Sequence, residues 1–359
     1  MKSRYETLDG LRGTAAFGVL GLHVCDFFID STHNPFKHAY LAVDFFFALS
    51  GFVMGHAYDN RLRAAPDQRL TFKGYLLRRV IRLHPLVILS VVQGLLSFIL
   101  DPFCGQAQAI GSAVSWKRLT LVFLMGLLLL PAPSLPNHED ETHSLNGPSW
   151  TLFWEYVAYL FYGLIGYRLS VKWLAGLAVI SAGLLIAAGL HLGELFDGFN
   201  WSTIWVAPIR LAYPFLAGLL VYRLQVRLKI KHAFLWLSLA LLLLFAAPVF
   251  PILNGLYAAL CTIILFPLFL CIGAGEEKLN GWIGAVCRLF GRLSYPVYIL
   301  HYPLLYWYGD WTIYHHPSHR QAIAVAIPLT AGIIAVSWLA LKYIDEPVRA
   351  WLSHRLKAT

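Results

Sequence analysis

Residues 8–29 read LDGLRGTAAFGVLGLHVCDFFI, and the reading of this stretch decides the fold. From Leu11 to Ile29 it is long and apolar enough to cross a bilayer, whose hydrocarbon core takes about 20 apolar residues per helix. Arg12 and His23 interrupt it. At about 100° and 1.5 Å per residue, their spacing puts both side chains on nearly one helical face, about 16 Å apart along the axis. Each has a plain reading alone, Arg12 as an interfacial charge that sets orientation and His23 as a packed, hydrogen-bonded histidine. Together on one face they point to chemistry within the membrane, because charge at membrane depth is costly and is seldom kept without use. The pattern suggests an anion site near one surface and a titratable group nearer the middle.

Composition supports a membrane protein. Of 359 residues, 58% are hydrophobic and 13% charged, where soluble globular proteins carry about 25% charged residues. Aromatic residues make up 15%, which fits chains that anchor Trp and Tyr at membrane–water interfaces. The net charge of +9 does not argue for nucleic acid, because the basic residues are interspersed between apolar runs. No cleavable leader is expected: charged residues precede the first apolar run, and that run is too long for a signal sequence. Five cysteines without framework spacing argue against both a disulfide scaffold and a zinc site, and no metal is expected.

The apolar runs predict an all-α fold, a polytopic membrane helical bundle forming one domain over residues 1–359. About ten transmembrane helices are expected near 11–29, 39–57, 83–101, 148–167, 171–192, 204–222, 232–249, 251–273, 293–309 and 321–343. A shorter run at 119–130 suits a re-entrant or interfacial segment. Lys and Arg bias sets the parity. With both termini cytoplasmic, all of the 28 Lys and Arg fall in the N-terminus, alternate loops and the tail, except Lys37, Lys117, Arg118, Arg210 and Arg320. Residues 132–148 contain neither and are expected outside. After Tyr343 only an amphipathic, turn-rich tail is expected.

The polar residues within these runs carry the functional reading. Asp44 near the outer end of the second run is a candidate structural partner of a cation, or an orienter of His23; Ser50 and Gly51 would let another helix approach closely. Arg78, Arg79 and Arg82 at the start of the third run serve orientation and headgroup contact, or clamp a phosphate through their guanidinium forks. Thr151, Glu155, Tyr159 and Tyr162 share a stripe, and a carboxylate such as Glu155 in a membrane helix is a site candidate. Arg210 either snorkels or pairs with Asp44 or Glu155. Ser294, Tyr298 and Tyr302 form a further stripe beside His301, where Pro296 and Pro303 imply a bent helix with freed carbonyls. His315, His316 and His319 read as solvated loop histidines, and Trp201, Trp205, Trp307 and Trp311 as an interfacial belt or a sugar-stacking surface.

In this order the pieces resemble the integral-membrane acyltransferase family 3, which O-acylates surface polysaccharides and other acceptors. The resemblance rests on LDGLRG (8–13) with His23, VDFFFALSGFVM (43–54), RRVIRLHP (78–85), WTLFWE (150–155), RLAYPFLAG (210–218), LSYPVYILHYPL (293–304) and IDEP (344–347). It spans essentially the whole chain. It implies that Arg12 and His23 are the family's essential pair and that Arg79 and Arg82 are its R-x-x-R motif. Two departures stand out. Tyr156 follows Glu155 where the family often has a second Glu or a Gln, and the extracytoplasmic hydrolase-like domain of some members is not expected.

The resemblance implies an acyl-CoA-dependent O-acyltransferase in a bacterial inner (plasma) membrane, without a permanently bound cofactor. The acyl group, acetyl by family prevalence, would pass from cytoplasmic acyl-CoA to a hydroxyl of a surface glycan, a lipid-linked sugar or a small acceptor. Membrane lipids are the other expected partners. Arg78, Arg79, Arg82 and Arg12 would bind the donor's phosphates, and the pantetheine arm, about 15–20 Å long, matches the Arg12-to-His23 rise. His23 would act as base or as nucleophile. Asp44 or Glu155 would orient it; Arg210, Tyr298, His301, Ser294 and Trp150 would line the acceptor or oxyanion region. The competing class is a glycan or lipid transporter or flippase without acyl transfer, which predicts an inverted repeat that the sequence does not display.

Overall fold

The computed structural model describes residues 5–30, 33–103, 114–136, 140–276 and 279–358. The outer-loop assignments of 31–32, 104–113 and 137–139 lie outside the described residues. Regular structure among the described residues is helical, without a β-strand, and the chain folds as a polytopic membrane helical bundle. The helices are α1 (Glu6–Asp26), α2 (Leu41–Leu62), α3 (Phe72–Leu100), α4 (Trp116–Leu127), α5 (Ser149–Phe161) and α6 (Val171–Leu192). They continue with α7 (Val206–Leu224), α8 (Ala233–Phe245), α9 (Asn254–Leu260), α10 (Phe266–Gly273), α11 (Gly281–His315), α12 (His319–Ala340) and α13 (Glu346–Ala358). Single π-helical turns extend α5 (Tyr162–Gly166) and join α9 to α10 (Cys261–Leu265) and α12 to α13 (Leu341–Asp345).

Local chemistry sets several of these boundaries. Thr71, Ser115 and Ser170 accept hydrogen bonds from the first-turn amides of α3, α4 and α6, replacing partners those amides lack within the helix. Ser318 and Gln321 form a capping box at the start of α12. Gly193, at a φ of 77°, ends α6 in the left-handed conformation.

Among the described residues, five helical stretches are long and apolar enough to cross a membrane by length and composition: Lys37–Leu62, Phe72–Leu100, Val171–Leu192, Asn254–Gly273 and His319–Arg355. The run at 119–130 forms the 12-residue α4, short as expected. Two expectations about extent need correction. The ninth expected crossing, 293–309, is the middle of a 35-residue helix, whose amphipathic first turns escape an apolar window. The tail after Tyr343 is helical rather than turn-rich: α13 continues α12 through the π turn Leu341–Asp345, which ends two residues before Pro347.

The second run lies at the centre, buried nearly all round, whereas α12 exposes most of its surface at the rim. The main packings are α1 along α11 and α2 along α7. Gly51 and Gly218 make the second possible, since a Cβ at either would overlap the backbone carbonyl of Phe215 or Ala48. Buried Asp44 and Arg210 then face each other across the same seam. On α11, Pro303 cannot bond the carbonyl of Ile299, and the Asn146 side chain donates to that oxygen instead at 2.8 Å. The proline-freed carbonyl of the helix and a loop are thereby joined beside the site.

Candidate active site

The sequence stripe on α1 survives in three dimensions. Arg12 lies toward one end of the α1–α11 seam: its Nε donates to Ser294 Oγ at 2.9 Å, and its Nη2 to the Gly291 carbonyl at 2.9 Å and to Asp9 at 3.0 Å. Three turns further on, the His23 ring stacks on His301 with centroids 5.4 Å apart and meets Tyr302 edge-on at 4.8 Å. His301 Nδ1 bonds the Val297 carbonyl, which leaves its buried Nε2 without a partner among the described residues.

Three adjoining cavities run through the bundle past these residues. A mouth of about 200 Å³ is lined by Arg61, Arg78, Arg79, Arg82, Arg349 and Ser353, with Tyr58. A middle cavity of about 140 Å³ shares Arg79 and Arg82 with the mouth and adds Arg12, Glu155, Ser294 and Tyr298. A histidine cavity of about 340 Å³ shares Val43 and Tyr298 with the middle one and holds His23, Asp26, Glu141, Trp150 and Tyr302. A side recess at Tyr5, His56 and Arg61 also opens toward Arg12. The basic end and the histidine therefore lie along one line of cavities that meet at Val43 and Tyr298.

The arginines of α3 are held by aromatic rings and hydroxyls. Arg79 Nη2 donates to the Tyr58 hydroxyl at 2.7 Å, and its guanidinium lies 4.9 Å from the Tyr58 ring centroid and 5.5 Å from that of Tyr159. Arg82 stands 5.7 Å from the Tyr295 centroid. Such faces stabilise a cation without neutralising it, so the positive charge stays available to an anion. Glu155 accepts from Ser50 Oγ at 2.9 Å and from the Tyr159 hydroxyl. It thus belongs to the middle cavity. Tyr156, the departure from the family pattern, bonds His84 Nδ1 at 3.1 Å, and His84 Nε2 bonds the Leu127 carbonyl at 3.0 Å, tying α5 through α3 to α4.

This packing selects among the expected roles and moves one residue. Asp44 does not orient His23; both of its oxygens accept from Arg210, at 3.2 Å and 2.6 Å. Arg210 does not snorkel: of its two expected carboxylate partners it pairs with Asp44, and it also lines the histidine cavity. Its other bonds go to the carbonyls of Tyr40 and Asp197, and it covers Trp150 at 5.6 Å. Ser294, expected near the acceptor, sits beside Arg12 in the middle cavity. Tyr298, Trp150 and Arg210 do line the histidine cavity, and Tyr298 exchanges a hydrogen bond with Thr151 at 2.9 Å.

The carboxylate nearest the imidazole is one that sequence reasoning passed over. Asp26 Oδ2 lies 3.9 Å from His23 Nδ1, and the i, i+3 spacing was available as a signal. Glu141 was not foreseeable. It comes from the loop 140–148, accepts from the Tyr306 hydroxyl at 3.0 Å and enters the cavity beside Gly147 and Pro148. That loop is packed rather than draped. His143 is buried in it, and burial pushes its imidazole down to about 4, keeping it neutral. Among the described residues, no group of His, Cys, Asp and Glu could hold a metal ion.

A family model described as an acyltransferase domain matches residues 5–342. The chain belongs to acyltransferase family 3. It is therefore a membrane acyltransferase. A curated relative, "Protein 2 in picA locus" of Rhizobium radiobacter, is 34% identical over 194 residues, which cover 52% of this chain and 94% of that protein. No solved structure matches the chain.

Proposed function

We propose that this acyltransferase takes an acyl group, acetyl in the simplest case, from cytoplasmic acyl-CoA and delivers it to a hydroxyl of a surface glycan on the other side of a bacterial inner membrane. In this reading the chain crosses about ten times with both termini inside. The observation that carries the proposal is the line of cavities from five arginines to His23, meeting at Val43 and Tyr298.

The donor's phosphates sit among Arg79, Arg82 and Arg12, and the pantetheine arm, about 15–20 Å long, threads the middle cavity along the Arg12-to-His23 rise of about 16 Å. The thioester then arrives near Tyr298 and His23, and the acceptor enters from the Glu141 side. The neutral His23 imidazole removes the acceptor's hydroxyl proton as its oxygen attacks the thioester carbon. The tetrahedral oxyanion collapses, the C–S bond breaks, and the imidazolium returns the proton to the CoA sulfur. Products are the ester and free CoA. Asp26 stabilises the transient imidazolium and Tyr298 stands beside the oxyanion position. The aromatic walls at Trp150, Tyr302 and Phe199 suit a sugar ring.

The test uses reconstituted membranes with labelled acetyl-CoA and a surface-glycan extract. His23→Ala should insert and fold normally yet lose transfer by about 10²–10⁴-fold, the usual worth of a positioned base. Transfer at the wild-type rate would remove His23 from the chemistry, and acceptor movement without label would favour a transporter.

A further inference from the structure

The mouth contains more positive charge than the family's paired arginines account for. Arg61, Arg78, Arg79, Arg82 and Arg349 converge on about 200 Å³. Among the described residues only Arg349 has a carboxylate partner, Asp345 at 2.9 Å. The Nε atoms of Arg78 and Arg79 are buried there without a hydrogen-bond partner. Several like charges at such separations repel one another unless an anion sits between them, and unpaired buried donors ask for an acceptor.

Two of the residues lining the mouth, Arg349 and Ser353, come from α13. The acidic pair preceding that helix explains how. Asp345, fully buried, holds Arg349 one turn later, and Glu346 accepts from Arg292 of α11 at 2.8 Å. The first bond is internal to this helical stretch and the second ties its start to α11; α13 also packs on α3, with Arg349 and Ser353 lining the mouth beside the arginines. Position along the cavities indicates which phosphate they meet. Arg79 and Arg82 line both the mouth and the middle cavity, so they lie where the arm ends and the diphosphate begins. Arg349 and Ser353 line the mouth alone, one step further from the thioester. In CoA that step carries the ribose 3′-phosphate.

We propose that α13 completes the donor site, Arg349 and Ser353 binding the monoester phosphate at the far end of the donor, so that the protein distinguishes CoA from dephospho-CoA. This rests on the acyl-CoA reading above. A guanidinium fork and a hydroxyl are suited to a dianionic phosphate, and the same chemistry would attract an anionic lipid headgroup.

The experiment measures binding of CoA and of dephospho-CoA to the full chain in nanodiscs, with neutral lipid alone and with added phosphatidylglycerol. Wild-type protein should prefer CoA by roughly tenfold or more, the worth of one hydrogen bond to a charged group. Arg349→Gln should bring the two affinities within about threefold by weakening CoA alone. Ser353→Asp, which leaves the Arg349–Asp345 pair intact, should do the same by repulsion. An unchanged preference in both variants, or an equal loss for both ligands, overturns the proposal while leaving the donor reading standing. Loss of the wild-type preference on adding phosphatidylglycerol would assign the mouth to lipid instead. If wild-type protein bound neither nucleotide, the acyl-CoA reading itself would fall with it.

Discussion

Arg210 and the arginines of α3 are treated in opposite ways. Arg210, 1% exposed on α7, has a carboxylate, Asp44, 2.6 Å away and two backbone carbonyls besides. Arg79 and Arg82 on α3 have aromatic faces and a tyrosine hydroxyl; Glu155 and Asp345 stand in their neighbourhood, but among the described residues neither arginine forms a direct ion pair. A charge matched by its own chain stabilises a seam between helices. On the function proposed above, a charge held in place without an ion-pair partner is kept for an anion from outside. On that proposal the partners separate the structural arginine from the two offered to a ligand, although both lie in the same kind of helix.

The comparison breaks most readily at its structural half. Arg210→Ala leaves Asp44 as an isolated charge in the α2–α7 seam, and stability should fall by about 3–5 kcal/mol. Replacing both partners at once, Arg210→Met with Asp44→Leu, should recover most of that loss. Thermal unfolding in detergent checks both; a single variant as stable as wild type would show that the pair is not what holds the seam.

A smaller effect sharpens the functional half. Val43 lines both the middle and the histidine cavities. Val43→Trp should fill their junction without touching the arginines. CoA affinity should stay within about threefold, while transfer falls by about 10²-fold, as expected when a reacting group is displaced by an ångström or so. Parallel binding and turnover assays would reveal a different route between donor and acceptor if turnover were kept.

Much of the binding half was legible in the sequence. Helical periodicity alone puts Arg12 and His23 on one face, and the small residues at Gly51 signalled a close helix contact that the Phe215 carbonyl indeed makes. The partner choices were not legible. Arg210 had two candidate carboxylates, Asp44 and Glu155, on different helices, and only the crossing of α2 with α7 selects between them. Asp26 shares a face with His23, yet at the end of an apolar run it reads as an interfacial charge. Glu141 and Asn146 belong to a loop without periodicity, and their roles depend on α11, more than 150 residues later, whose bend at Pro303 leaves a carbonyl for Asn146. The contribution of α13 to the mouth was hidden for another reason. Its amphipathic pattern and early proline read as a tail, because nothing local reveals that Glu346 meets Arg292 of α11 or that α13 packs on α3.

The most direct measurement is the thermal stability of Arg79→Gln/Arg82→Gln protein with and without CoA. Unmatched arginines predict that the substitutions leave the ligand-free protein as stable as wild type or more so. At 100 times the dissociation constant, CoA should stabilise the wild type by about 2.7 kcal/mol, and the same concentration should leave the double variant nearly unshifted. A ligand-free variant that unfolds several degrees earlier, and still gains the full shift on adding CoA, would contradict the account: those arginines would then be structural, and the donor would bind elsewhere.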